Sequence, residues 1–327
     1  MPQDEHNGRA GVEGVNAAPS APGVGRSAGD AIFRFLTTGA GVGLLLLIAA
    51  MAAVLWQQSA LSRAKFGWGF LAHAVWNPVT ENFGALGAMY GTAATTAIAL
   101  LVAVPISLGI GLFLAELAPQ WLRVPAGTAI ELLAAVPSIV YGMWGLFVLA
   151  PIMGDVVQPW IQERFGDFFL FSGPPIGIGI LSAGLVLALM ILPFISSVIR
   201  DVFLMTPSAL KESAYGMGAT TWEVARDIMI PYGRKGIIGA ITLGLGRALG
   251  ETMAVTFVIG NAHELNFSLF ALGNSIASTL ANEFTEADGD VYLSALIELG
   301  LVLFLMTFVI LSVAQIWLRR MGKREGR

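Results

Sequence analysis

Six long apolar runs, separated by polar segments, dominate the chain between residues 33 and 318. Each holds roughly 20 residues or more, the length at which a helix crosses the hydrocarbon core of a bilayer. The pattern predicts an all-α, polytopic membrane protein with six transmembrane helices, at residues 33–56, 89–115, 126–151, 176–199, 236–260 and 296–318. Pro105 interrupts the second run and Pro137 the third, while aromatic residues typical of a membrane interface fill the loop 57–87.

Both ends of the chain differ in composition from the apolar region. Residues 1–30 are rich in Gly, Ala, Pro and Ser, which predicts a disordered tail that is not a cleaved signal peptide. Residues 31–320 form the predicted six-span domain, including a polar loop at 204–235, and residues 321–327 form a basic tail.

The distribution of basic residues predicts the orientation of the spans. Fourteen of the 18 Lys and Arg residues fall on the side that holds both termini and the loop 204–235. Three fall on the other side, and Arg247 lies within the fifth span. Because cytoplasmic loops are enriched in Lys and Arg, both termini are predicted to be cytoplasmic, in a multi-pass protein of the inner (plasma) membrane.

Composition excludes several classes of protein. With 56% hydrophobic and only 12% charged residues, the chain is unlike a soluble globular domain. The absence of cysteine excludes disulfides, thiol catalysis and cysteine-ligated metals, and the three histidines are too dispersed for a metal site. A net charge of −4, with scattered basic residues, gives no indication of nucleic-acid binding. No phosphate-binding Gly-x4-Gly-Lys-[Ser/Thr] loop is present, so another chain would bind any ATP.

The polar segment 212–231 and its approach read as two short helices joined by a turn. Thr206 is predicted to cap the first helix, with Pro207 at the first helical position. Gly216 and Gly218 then supply the turn.

The second helix has its own start and stop signals. Thr220 and Glu223 have the spacing of a capping box, and Pro231 is expected to end the helix near Ile230. One apolar face is predicted for three residues at helical spacing, Trp222, Ala225 and Met229.

The same segment resembles the EAA motif, the coupling loop of ABC-transporter permeases. The match keeps the full Glu…Gly…Ile…Pro spacing, with Ser213 and Ile230 as the departures. The resemblance implies contact with a groove on a cytoplasmic ATPase through Glu212, Ala214, Gly218, Trp222, Ile228 and Pro231. The alternative is an ordinary amphipathic cytoplasmic loop.

Two charged residues stand out in the fifth span. Arg247 and Glu251 are four apart, hence predicted to share one helix face. A charge near the bilayer centre costs roughly 2.5–3.5 kcal/mol on insertion scales, so both should face the protein interior or a wet path. Arg247 would bind an anion transiently and Glu251 would neutralise it in the empty site. The alternative is a buried ion pair that fixes helix register and never meets substrate.

Weaker candidates surround this pair. Ser138 and Tyr141, beside Pro137, and Thr252 could also line a path for the substrate. The alternative for Ser138 and Tyr141 is a kinked helix whose hydroxyl groups are satisfied within the chain. Four residues of the predicted outer loop could meet a binding protein or close the outer mouth of the path, or could belong to a solvated loop: Asn274, Ser275, Asn282 and Glu283.

Three runs, GLGRALGETMAVTFVIGN, AVPSIVYGMWG and GNSIASTLANEF, resemble the PstC-type permease subunits of phosphate-specific ABC transporters, and the similarity spans about residues 85–320. The resemblance implies a type I ABC importer permease with Arg247 and Glu251 in the phosphate pathway. The implied partners are a PstA-type permease in a heterodimer, two PstB-type ATPase subunits, an extracytoplasmic phosphate-binding protein and membrane lipids. No cofactor is expected in this chain, which is not itself an enzyme, because the ATPase binds ATP and Mg.

Other functions remain open from the residues. Another oxyanion such as sulfate or molybdate would suit an arginine equally well. A membrane scaffold that reports phosphate supply to a signalling kinase is a second alternative. An intramembrane enzyme is disfavoured because no cysteine, His-x-x-x-His, His-Glu-x-x-His or Gly-x-Ser-x-Gly pattern is present.

Overall fold

The computed structural model describes residues 28–166 and 168–324, which fold almost entirely into helices. Within these residues, β-structure is limited to isolated bridges such as that between Asn77 and Asn82. Five described helical stretches are long and apolar enough to cross a membrane: Gly29–Gln58, Leu86–Leu117, Ser138–Phe165, Ile180–Leu204 and Asp290–Leu318. The predicted all-α, membrane-spanning class is confirmed.

The chain divides into two compact units, Met1–Ala50 and Met51–Arg327. In the first unit the described residues belong to helix α1, Ala28–Gln58, which runs on into the second. The predicted disordered tail at 1–30 lies outside the described residues except for its last three residues, which are helical. The final residues of the basic tail, 325–327, also lie outside them.

Helices α4 (Leu86–Leu112) and α9 (Ile180–Leu204) form the central pair of the second unit. In α9, 67% of the most apolar stretch is buried, so this helix is the middle of the fold. Small residues permit the close approach: a Cβ on Gly184 would lie 2.7 Å from Ile98 Cβ. The chain stays helical through Pro105, and the Ser107 hydroxyl beside it donates to the Leu192 carbonyl at 3.1 Å.

The predicted third span, 126–151, is wrong as a single helix. Helix α5 (Gln120–Ala134) ends before Pro137, and α6 (Ser138–Trp144) begins after it. The residue before a proline disfavours helical backbone, which accounts for the break. From Ser138 the chain stays helical to Phe165. Beyond α6 this stretch consists of two π-helical turns and the helices α7 (Ala150–Ile152) and α8 (Gln158–Phe165). Part of the predicted loop 154–173 is therefore helix.

The predicted fifth span, 236–260, is also interrupted. Helix α12 (Ile230–Leu249) and helix α13 (Met253–Ile259) replace it, with Gly250, Glu251 and Thr252 between them. Neither piece alone is among the five stretches that meet the criteria for crossing a membrane.

A second apolar cluster lies at the end of the molecule away from residues 204–235. Its helices are α2 (Ala60–Phe66), α3 (Gly69–Ala72), α14 (Ile276–Glu283) and α15 (Asp290–Arg324). Phe70, Trp76 and Phe83, in the aromatic region predicted to lie at the membrane interface, are buried here, whereas Trp68 is exposed. The aromatic residues of 57–87 therefore serve mainly as a core.

Candidate functional site

The break between α12 and α13 determines where the two charged residues of the fifth span lie. Arg247 is in the last turn of α12, and Glu251 is in the non-helical link. The prediction that they share one continuous helix face is therefore wrong, because the helix ends between them. No ion pair joins them among the described residues.

Arg247 has an exposed side chain in the isolated chain and no hydrogen bond or ion pair with any other described residue. Its position at the C-terminal end of α12 suits a cation, because the carbonyl groups there carry partial negative charge. Five guanidinium donors are left for a ligand or another chain.

Glu251 does not pair with Arg247; it stabilises the start of α13. Its Oε1 accepts a hydrogen bond from the Ala254 backbone N–H at 3.2 Å. A carboxylate at a helix N-terminus satisfies a free N–H group and meets the positive end of the helix dipole. Thr252 precedes α13, and its carbonyl accepts from the Thr256 hydroxyl at 2.7 Å.

The two helix breaks lie together, because α6 packs on α13. Gly142 allows this contact: a Cβ there would lie 3.0 Å from the Met253 carbonyl oxygen and 3.1 Å from Ala254 Cα. Tyr141 interacts electrostatically with Arg247, and its hydroxyl donates to the Leu133 carbonyl at 2.8 Å across the first break. Ser138 lies half-buried one turn before Tyr141.

The predicted pathway residues therefore come from two interrupted helices. Tyr141 also lines an apolar groove of about 560 Å³ with Leu133, Val140, Leu189 and Leu192. The groove offers few polar groups, so a charged ligand would favour the break that holds Arg247.

The segment 204–235 contains the predicted turn between two short helices, but its first helix starts and its second helix continues differently from the prediction. Helix α10 (Ser208–Gly216) begins after Pro207, and no side chain caps it. The Thr206 cap is wrong: this hydroxyl is buried without a hydrogen-bond partner among the described residues. Pro207 occupies the cap position, because its extended backbone (ψ 132°) leads into the helix.

Gly218 makes the turn as predicted, with φ of +90°, where a side chain would be strained. The Gly218 N–H donates to the Tyr215 carbonyl and the Ala219 N–H to the Ala214 carbonyl. These two bonds form a Schellman motif, which closes the C-terminal end of α10.

The capping box is confirmed at α11 (Thr221–Glu223). Glu223 accepts from the Thr220 backbone N–H at 2.7 Å, and the Glu223 N–H donates to the Thr220 hydroxyl oxygen at 3.4 Å. The hydrogen bond from the Thr220 backbone N–H, and to a smaller extent the one from the Thr220 hydroxyl, lower the pKa of the Glu223 carboxyl.

The predicted helix end near Ile230 is wrong. The chain passes from α11 through a π-helical turn, Val224–Met229, directly into α12, with Pro231 in its first turn. The wider turn accommodates a residue that lacks an N–H group and whose ring would crowd a regular helix.

The π-helical turn also changes which residues share a face. Ala225 and Met229 are buried, whereas Trp222 is 64% exposed, so the predicted common face is wrong. Trp222 and Glu212 remain accessible, Ala214 is buried, and Ile228 lines a shallow pocket with Gly218.

An ion-paired link that the sequence did not indicate joins this segment to the end of the second span. Glu116 accepts from Lys211 Nζ at 2.8 Å and from the Tyr215 hydroxyl at 3.0 Å. Lys211 and Tyr215 are one turn apart on α10, so a single carboxylate holds that helix at two points.

Three of the four residues that the sequence predicted for an outer loop take part in local hydrogen bonds. Ser275 caps α14 by accepting from the Ser278 N–H at 3.0 Å, and Asn274 is buried beside it, while Asn282 is exposed. Glu283 accepts hydrogen bonds from Trp76 Nε1 at 2.7 Å and from the Tyr292 hydroxyl at 2.6 Å.

His263 completes this network with Nε2 at 2.8 Å from Glu283. Burial would raise the pKa of Glu283, but the hydrogen bonds from His263, Tyr292 and Trp76 outweigh it and lower the pKa below its usual value. Within the described residues, no cluster of three or more His, Asp or Glu side chains could hold a metal ion.

Residues 107–325 match a protein family described as "Binding-protein-dependent transport system inner membrane component". A protein of Mesorhizobium japonicum is 56% identical over 301 residues, covering 91% of this chain and 92% of the relative. A protein of Pasteurella multocida is 55% identical over 302 residues, covering 91% and 94%. Both are named "Phosphate transport system permease protein PstC".

The fold is similar to that of solved ABC importers. A chain of a bacterial alginate ABC transporter, in complex with an alginate pentasaccharide-bound periplasmic protein, aligns with a TM-score of 0.61 at 17% identity, covering 91% of this chain and 99% of that chain. A chain of the inward-facing MetNI methionine ABC transporter aligns with a TM-score of 0.52 at 15% identity, covering 76% and 99%.

Proposed function

The chain belongs to the family of binding-protein-dependent transport system inner membrane components, and from this premise we propose that it is the permease subunit through which an ABC importer moves inorganic phosphate into the cytoplasm. As a member of this family it is a multi-pass inner-membrane protein with a role in transport rather than catalysis. The names of the close relatives support phosphate as the substrate.

The observation that carries the proposal is the unpaired guanidinium of Arg247 at a helix break. Interrupted membrane helices expose backbone and side-chain polar groups only where they line a protein-enclosed or wet path. The guanidinium donors of Arg247 form a planar fork that suits the oxygens of an oxyanion. Tyr141 lies close enough to interact electrostatically with this guanidinium.

Glu251, in this proposal, moderates the affinity of the site. Its negative charge, four residues from Arg247, weakens the hold on an anion without forming a closed ion pair. Thr252, Ser138 and Tyr141 contribute polar groups along the two breaks. Alternating access exposes this region first to the outside and then to the cytoplasm.

The segment 204–235, called the coupling segment from here on, is the proposed contact with the ATPase. Glu212 and Trp222 are accessible there. Gly218 makes the turn after α10, and Pro231 lies in the first turn of α12. ATP and Mg bind to that separate ATPase chain, whose closure moves the segment and reorients the spans. The orientation with both termini in the cytoplasm belongs to the same proposal.

The full assembly proposed is a heterodimer with a PstA-type permease, two PstB-type ATPase subunits and an extracytoplasmic phosphate-binding protein. Arg247 is exposed in the isolated chain, which supports a second permease chain. A second chain packed against this face would enclose the solute path between the two chains.

Radiolabelled phosphate uptake by cells that carry Arg247→Gln tests the pathway, with co-purification of the ATPase measured in parallel. Uptake is expected to collapse while the ATPase still co-purifies. The matched control is Arg164→Gln, which changes an exposed arginine on α8. Undiminished uptake by Arg247→Gln would show that this arginine does not carry the anion.

Competition with excess sulfate or molybdate tests the substrate in the same cells. For a phosphate permease neither anion is expected to reduce uptake. Strong competition would favour a broader oxyanion importer.

A further inference from the structure

A pocket of about 330 Å³ lies between α2 and α15, apart from the proposed transport path. Its polar wall contains Arg63 and Glu298, and its apolar wall includes Leu301 and Leu305, one turn apart on α15. Trp56 and Trp68 stand at its rim, with Trp68 88% exposed.

Glu298 is a buried acid without an adequate partner. The residue is only 6% exposed, and its Oε2 makes no hydrogen bond within the described residues. The buried Ser62 hydroxyl lies beside the carboxyl group and the charge of Arg63 also acts on it, but Oε2 itself accepts no hydrogen bond from a described residue. A buried carboxylate of this kind calls for a cation or a hydrogen-bond donor from outside the chain.

The nearby arginine does not fill that role. The guanidinium of Arg63 lies 3.6 Å from the ring centre of Trp56 and donates to Ser59 Oγ at 3.1 Å and to the Trp56 carbonyl. No ion pair joins it to Glu298 in the part of the chain that the structure describes. The pocket therefore presents an acidic and a basic side chain that no ion pair joins within the described residues.

The pocket also lies at a defined depth. Residues 299–318 of α15 contain no charged side chain and, at 1.5 Å per residue, span about 30 Å, the thickness of the hydrocarbon core. Glu298 then lies at the boundary between acyl chains and headgroups, on the side away from the coupling segment. Tryptophans at the rim are typical of that boundary.

We propose that this pocket binds one phospholipid with a primary ammonium headgroup, such as phosphatidylethanolamine. The ammonium group donates to Glu298 and the phosphate accepts from Arg63. One acyl chain follows Leu301 and Leu305 along α15. A headgroup with both an ammonium and a phosphate group complements both side chains at once, whereas a lipid without an ammonium group, such as phosphatidylglycerol, would leave Glu298 unpaired. The proposal is independent of which solute the protein transports.

Native mass spectrometry of the purified transporter assembly tests the site directly. The wild-type assembly is mixed with equal amounts of phosphatidylethanolamine and phosphatidylglycerol. We expect at least fivefold preferential retention of phosphatidylethanolamine. Equal retention of the two lipids by the wild-type assembly would overturn the proposal, whatever the variants do.

Two variants then assign the contacts. Glu298→Gln is expected to reduce the preference to near unity, whereas Arg63→Gln weakens retention of both lipids, since both carry a phosphate. The matched control is Glu286→Gln, an exposed acid outside the pocket, which should retain the full preference. An unchanged preference in Glu298→Gln would contradict the assignment of the ammonium contact.

A soluble headgroup separates a lipid site from an ion site. Excess glycerophosphoethanolamine, which lacks acyl chains, should displace little of the bound lipid. Full displacement would overturn the part of the proposal that assigns the apolar wall to an acyl chain.

Discussion

Arg247 lies at the C-terminal end of α12 and Glu251 at the N-terminal end of α13, so each charge meets the helix end of opposite sign. The cost of placing a charge in a membrane predicts that neither faces lipid, whatever the local backbone does. Their pairing, in contrast, depended on a continuous helix, and the chain leaves helical conformation at Gly250. Sequence spacing defines a shared face only where the helix is unbroken.

Arg247→Lys distinguishes the geometry of the guanidinium from its charge. Lysine keeps the positive charge but loses the planar fork of donors. Loss of one charged hydrogen bond, about 1.5 kcal/mol, predicts roughly a tenfold higher KM for phosphate uptake. An unchanged KM with normal assembly would mean that charge alone is sufficient.

Gly218→Ala tests the turn of the coupling segment at the residue where the backbone requires glycine. A side chain at φ +90° costs about 1–2 kcal/mol, so we expect lower thermal stability and weaker co-purification of the ATPase. Gly216→Ala is the control, because Gly216 ends α10 and a Cβ there would meet nothing within 4 Å. Equal loss in both variants would argue against the strained turn as the cause.

At the scale of elements, local signals predicted the turn and the capping box of the coupling segment because Thr220, Glu223 and Gly218 act on adjacent backbone. The helix end predicted from Pro231 was wrong because a π-helical turn precedes this proline, and no short sequence motif predicts such a turn. The break at Pro137 could have been predicted from the same proline rule, but the apolar run on both sides concealed it. Glu116 was missed because its partners lie 95 and 99 residues away.

Glu116→Gln tests whether that link transmits motion from the coupling segment to the second span. The amide keeps the shape but loses the charge that holds Lys211, a loss of about 2 kcal/mol. Uptake is expected to fall several-fold, while ATP hydrolysis by the purified assembly stays near the wild-type rate. Glu81→Gln, which breaks the exposed pair with Lys65, is the control and should leave both unchanged.

At the scale of the whole molecule, hydrophobic pattern and composition were sufficient to predict the all-α membrane class, because burial in lipid constrains every residue of a span. Contacts between distant segments were beyond that pattern. Trp76 and Glu283, for example, meet across 207 residues of chain, and their hydrogen bond joins the loop that contains Trp76 to α14.

Glu283 gives the stability of the region around α14 a pH dependence. Its folded pKa lies below the unfolded value of about 4.3, so the carboxylate contributes stability at neutral pH that is lost as pH falls through the folded pKa. The protection of backbone amides around Trp76 and His263, taken relative to their intrinsic exchange rates, should therefore fall as pH is lowered through the pKa of this carboxyl. Glu283→Gln should raise exchange at pH 7 and remove most of that acid-dependent change; a variant with the wild-type pH profile would refute this role.

The interruption between α12 and α13 also bears on how the protein is made. A segment that carries Arg247 and Glu251 and breaks at Gly250 is a poor substrate for insertion by itself, since each charge adds roughly 2.5–3.5 kcal/mol at mid-membrane. α9, by contrast, is uninterrupted, apolar for most of its length and already the centre of the fold. Since α9 precedes α12 and α13 in the chain and packs against both, we expect it to be in the bilayer before them and to provide the surface that retains the broken pair.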